Sequence, residues 1–340
     1  MLSTTPSLCH CTGMSPVDTT GWPAGSWDWV YQNVNKTTRL EVSSRNNVLI
    51  IGSNIHDVAN DEGMLISYCN NVQIKDSFIQ NLTDESNVYG MGLFLYHSDN
   101  VVVDNITIRE HLWTGTAQHA HAVHIYDGDN ITVKNSDIYN VDGNGITVEA
   151  ENSNVLIDNC DIYNTGRRPY SASAPYHGIY CKGPDTTIQN CSIHDSLDGS
   201  AITMRTTGLI QNNTIYNNKH VGIAYWPDYL KGPSNALEIR YNTLWQDNFT
   251  AADSKASAIC INYTTGKPAE KYFANFYIHN NQCEIKAGNS YGVISCFQAT
   301  GTWNISNVQV KNNTITDRRA TKNYLDGEEY MRDTSGNTYQ

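Results

Sequence analysis

The chain has 340 residues, with 39 Asn, 24 Gly and 21 Tyr, and only 16% of its residues are charged. Disordered chains are charge-rich and poor in aromatic residues, so this composition argues for a folded chain. A net charge of −12 argues against a nucleic-acid partner, and no apolar run reaches the roughly 18 residues that span a membrane.

Residues 1–38 carry no repeat, and the run Ser26-Trp27-Asp28-Trp29-Val30-Tyr31 is expected to form an aromatic cap. No secretory signal follows Met1, and Cys9-His10-Cys11 resembles half a zinc site but lacks a second pair of ligands. From Ile50 to Ile315 a unit of the form apolar-x-Asn-x-x-apolar recurs ten times, as in VKNSDI, IDNCDI, IQNNTI and VKNNTI, with Gly, Asp or Tyr in place of the Asn in IIGSNI, IKDSFI and IRYNTL, at spacings of 22 to 39 residues. Such periods belong to solenoids and propellers, and 22 residues is too short for a blade of about 40. Runs such as Val123-His124-Ile125-Tyr126 and Ile146-Thr147-Val148-Glu149 alternate with period two, so the units are strands. A coil of three short strands and three bends follows, with small or amide side chains stacked at one bend. The expected division is a cap over 1–38, the solenoid over 39–316, and a cap or tail over 317–340. Cys160, Cys181 and Cys191 fall at bend or inward positions and read as small buried hydrophobes rather than disulfide partners.

Function must come from outward side chains that the repeat does not need. The inward pairs Leu93/Leu95, Val123/Ile125, Ile146/Val148, Ile179/Cys181 and Ile202/Met204 leave two outward columns. One reads Phe94, His124, Thr147, Tyr180, Thr203, Ala224; the other reads Tyr96, Tyr126, Glu149, Lys182, Arg205, Trp226, Asn262. The second places an acid, a lysine and an arginine on consecutive coils between aromatic residues. Insertions at 110–121, 164–177, 226–235 and 263–275 bracket the same strands and bring Arg167, Arg168, Tyr170 and Tyr176 to them. Residues 165–231 hold six Lys and Arg against four Asp, a local charge of +2 that leaves −14 for the remainder. An anionic ligand would therefore be drawn to this face.

Aromatic rings at Tyr96, Tyr126, Tyr180, Tyr225 and Trp226 suit the apolar faces of sugars. On a uronate polymer, β-elimination needs the carboxylate neutralised, a base for the adjacent C–H, and an acid for the leaving oxygen. Lys182 is the expected base, Arg205 the neutralising or donating group, Glu149 the group orienting Lys182, and Tyr180 or His177 the assistant. Other readings stay open. The column is also what a surface ion-pair ladder looks like; Glu149 with Asp127 or Asp185 could serve a glycoside hydrolase; and a glycan-binding spike or adhesin needs no chemistry at all. His119, His121 and His124 with Asp127 have metal-ligand character but also read as ordinary loop histidines.

The ten registered copies resemble the right-handed parallel β-helix superfamily of pectate lyases and phage tailspikes over about residues 39–316. That resemblance implies an all-β, single-stranded right-handed parallel β-helix of about ten coils, secreted or carried on a virion, monomeric or homotrimeric. HGIYCKG and ITMRTTGLIQNN are similar to the segments bearing the catalytic lysine and arginine in the chondroitinase B and alginate lyase family, matching Lys182 and Arg205. The resemblance brings calcium into consideration as a cofactor, but Pro175 and His177 stand where that family has two calcium-binding glutamates.

Overall fold

Alternating apolar and polar residues put every second side chain on one side of a strand, and a three-sided coil folds that side into a core. The computed structural model describes residues 27–84, 90–113, 121–168, 175–226, 236–246, 257–263, 275–287, 291–298 and 307–340. Successive coils stack in parallel register. The first sheet holds eleven strands among the described residues, from Leu40–Ser43 to Leu325–Asp326. The other two sheets hold the strands on either side of the asparagine bend, such as Asp129–Lys134 and Asp137–Val141. They run into one another through the long strands Asn70–Asp84 and Asp99–Trp113. All five expected inward pairs are at most 1% exposed. No helix among the described residues is long and apolar enough to cross a membrane.

The asparagines serve two positions of the same bend. Asn105, Asn135, Asn159, Asn190, Asn212, Asn280 and Asn312 point outward with φ between 52 and 57°, the left-handed conformation that turns one short strand into the next. Asn tolerates it because its short amide bonds locally. The following residue points inward, and there Asn213, Asn242, Asn281 and Asn313 form a buried ladder. Each backbone N–H and side-chain amide donates to the Oδ1 of the next rung at 2.9 to 3.1 Å, ending on Asn337. Earlier rungs use Ser or Cys instead, apart from Ile106, which only donates its N–H to Ser136 Oγ: Cys160 N–H donates to Cys191 Sγ at 3.5 Å. The seven described cysteines are buried and free of disulfides.

The stacking extends beyond both expected boundaries. Trp29–Gln32 pairs in register with Val48–Ile51, and Thr338–Tyr339 pairs with Thr314–Ile315. Residues read as caps at 29–36 and 325–339 thus add strands to the ends of the solenoid, because they offer the same backbone ladder without the full motif. Ser26 and Cys9-His10-Cys11 lie outside the described residues.

Candidate functional site

The inward pairs set the register of the first sheet, and the register sets what stacks outside it. Phe94, His124, Thr147, Tyr180, Thr203, Ala224 and Cys260 follow one another coil by coil. The second column forms where the strands end. Its spacing is held by the N–H groups of Glu149, Lys182, Arg205 and Trp226, which donate to the carbonyls of Ile125, Val148, Cys181 and Met204. Two glycines let the segment His177–Gly183 lie this close to its neighbours. A Cβ on Gly178 would sit 2.6 Å from the Ala201 carbonyl oxygen, and one on Gly183 2.8 Å from Val148 Cγ1.

Lys182 Nζ donates to Glu149 Oε2 at 2.6 Å, and His124 Nε2 lies 3.5 Å from Glu149 Oε1. Burial pushes the Glu149 carboxyl up, but His124 and Lys182 outweigh it and hold it at about 2. Glu149 is therefore a fixed anion at neutral pH. Lys182 Nζ and Arg205 Cζ lie 5.1 and 5.3 Å from the centre of the Tyr180 ring, and Arg205 Nη1 donates to the Trp226 carbonyl at 3.4 Å. His177 stacks behind Tyr180 at 5.5 Å. Its Nδ1 accepts the Ser200 N–H at 3.0 Å and lies 3.1 Å from Thr203 Oγ1. Burial, then the charges of Arg205 and His220, push His177 down to about 3. The half-buried surface of the row is Tyr96, Tyr126, Glu149, Tyr180, Lys182, Arg205 and Trp226.

A family model described as the right handed beta helix region matches residues 118–295. The chain belongs to this family. No curated protein sequence matches it. Among solved structures, the alginate lyase from Paenibacillus sp. str. FPU-7 aligns at a TM-score of 0.55 and 14% identity, covering 86% of this chain and 98% of that one. The Streptococcus pneumoniae surface protein and adhesin PfbA aligns at 0.54 and 14% identity, covering 92% and 83%. The tailspike protein gp49 from Pseudomonas phage LKA1 aligns at 0.52 and 13% identity, covering 88% of this chain but only 49% of the tailspike. At these identities the likeness is one of fold, and one fold hosts many activities.

Several expected site residues stand elsewhere than on the surface of this row. Tyr225 is fully buried, paired in the sheet with Met204 and Ile261 and packed edge-on against Phe276, because it follows outward Ala224 and so points inward. Tyr176 is 4% exposed; its N–H donates to Asp198 Oδ2 and its ring meets His121 edge-on. His124 is also buried, beneath the row, with its Nε2 facing Glu149. His177 is buried behind the Tyr180 ring, so it too lies beneath the surface. Arg167 lies 3.4 Å from both Asp142 and Glu110 and donates to the Asn140 carbonyl, so its charge is matched before the row begins; Arg168 beside it is half-buried. His119, Tyr170, Asp228 and Lys231 lie outside the described residues.

Asp127 faces His97 Nδ1 at 2.6 Å instead of the other histidines, and the described residues hold no group of three metal-ligating side chains. The calcium of the lyase resemblance does not fit here. Pro175 offers no side-chain ligand, and His177 presents a nitrogen already used by Ser200. Two surface residues escaped the sequence reading. Tyr68, 57% exposed, stacks on His97 at 5.0 Å and meets Tyr96 edge-on, while Tyr96 stacks on Tyr126 at 5.5 Å. Tyr68 and His97 have φ of 54° and 46°. Bulky residues at a left-handed bend, where this chain otherwise favours Asn, are the signal that would have found them.

Proposed function

We propose that the first-sheet row binds an acidic polysaccharide lengthwise and cleaves it by β-elimination. The observation that carries this reading is the meeting of two cations on one tyrosine ring, Lys182 at 5.1 Å and Arg205 at 5.3 Å, beside an aromatic path. Arg205 would neutralise the uronate carboxylate and so acidify the adjacent C–H. Glu149, ionised and 2.6 Å from Lys182, supports Lys182 as an ammonium at rest. In that form it is suited to protonate the leaving oxygen, and the C–H proton is taken by Tyr180 acting as the phenolate, after its hydroxyl proton has passed to solvent; Tyr180 is the tyrosine on which both cations meet. The hydrolase reading is weaker. Glu149 stays ionised, which leaves the acid to Asp127 or Asp185; Asp127 is engaged by His97, and Asp185 accepts the Thr207 hydroxyl at 3.5 Å.

The test is incubation with alginate, polygalacturonate and hyaluronate, following the ultraviolet absorbance of unsaturated ends. Wild type should generate absorbance on at least one polymer, and Arg205→Ala, Lys182→Ala and Tyr180→Phe should each lose about 10²-fold or more. New reducing ends without absorbance would mean hydrolysis. Binding with neither signal would make the face an adhesive one, which the exposed Tyr68 cluster would also serve.

A further inference from the structure

The sheet of strands that follow the asparagine bend, which includes Asp137–Val141, carries a second outward row that the proposed chemistry does not use. Tyr139, Tyr163, His194, Tyr216 and Trp245 are paired in register on five consecutive coils. Their rings stack with centroids 4.9, 5.0, 4.4 and 4.6 Å apart and planes within 7° of parallel. At one end Arg109 Nη1 donates to the Tyr139 hydroxyl at 3.1 Å. At the other the row changes character: the positions after Trp245 are Glu284 and Thr316. Where the rings stop, a cleft of about 370 Å³ opens, lined by Trp245, Gln282, Glu284, Lys286, Thr314 and Arg318 among others.

We infer that this cleft is a second saccharide-binding site, taking one pyranose ring against the Trp245 indole. Its volume is at the small end of ligand sites, right for a sugar unit and too small for a folded partner's side. Trp245 is held in place by Tyr216, so the indole is ordered before a ligand arrives. The remaining lining is what a polyol needs: hydroxyls, an amide, and a carboxylate shared between cations. Arg318 Nε lies 3.3 Å and Lys286 Nζ 3.9 Å from Glu284 Oε1, so donors and an acceptor alternate around the cleft and the cations are largely matched. A purely structural ring stack would account for Tyr139 to Tyr216; it does not account for a polar cleft at the stack's end. The site is on a different sheet from Lys182 and does not depend on the first row being catalytic.

The experiment is isothermal titration and saturation-transfer NMR with the uncharged oligosaccharides maltotetraose, cellotetraose and chitotetraose, which carry no carboxylate for Arg205. At least one should bind wild type with millimolar or tighter affinity. That binding should weaken tenfold or more in Trp245→Ala, and equally in Thr314→Trp, which fills the cleft and leaves the stack intact. Arg205→Ala should leave it unchanged. No binding to wild type, binding unaffected by Thr314→Trp, or binding lost in Arg205→Ala would each overturn the inference.

Discussion

Glu149 shows how one residue takes its character from neighbours distant in sequence. Alone it is an ordinary carboxyl; between His124 and Lys182 it is held at about 2 against 4.5. A depressed carboxyl stabilises the fold fully above its unfolded value and loses that contribution as the pH falls from 4.5 through about 2. The shift corresponds to on the order of 3 kcal/mol. Glu149→Gln should therefore cost about 2–3 kcal/mol at pH 7 by urea unfolding, with the gap from wild type closing below pH 4.5. A gap that stays constant down to pH 2 would show that the ion pair contributes nothing. His177 acts in a different window. Held near 3 against 6.5, it lowers stability as the pH falls from 6.5 toward 3, equally in both proteins, so it cancels in the comparison.

At the scale of the bend, two asparagines at its two positions on adjacent coils carry unequal energies. Asn242 accepts the N–H and amide of Asn213 and donates to the Ile210 carbonyl, all buried. Asn242→Ala leaves these groups unsatisfied, at about 1–3 kcal/mol each, and is expected to destabilise by about 3 kcal/mol or more. Asn212 is exposed and left-handed, so Asn212→Ala should cost about 1–2 kcal/mol and Asn212→Gly less. Thermal unfolding of the three variants checks the order. Equal losses for Asn242→Ala and Asn212→Ala would mean that the ladder adds nothing beyond backbone conformation.

The whole molecule is a rod, and its length decides what it can hold. From Tyr68 to Trp226 the surface row crosses six coil-to-coil steps, about 29 Å at ~4.8 Å per step. A ligand using all of it is an oligomer, not a monosaccharide. Tyr68→Ala should therefore lower kcat/KM on polymer and long oligomers about tenfold while changing the rate on trimers less than twofold. Steady-state rates on a size-graded oligouronate series make the check; a loss independent of length would put Tyr68 outside the substrate path.

How much could be read from the chain follows from the same geometry. The period, the inward pairs and hence both outward columns were legible, because a parallel coil repeats its register and alternation sends every second residue out. Glu149, Lys182 and Arg205 were placed on consecutive coils for that reason. Alternation also predicts that Tyr225 points inward, and its aromatic character misled where its parity did not. What no repeat could supply was the state of those groups. Burial of His124, Tyr176 and His177, the ionisation of Glu149 and the pairing of Arg167 with Asp142 all depend on side chains that meet from residues tens of positions apart. Covalent order along the chain decided which residues share a column. Only the closed solenoid decided which of them are dry, which are charged, and where a stack of rings gives way to a cleft.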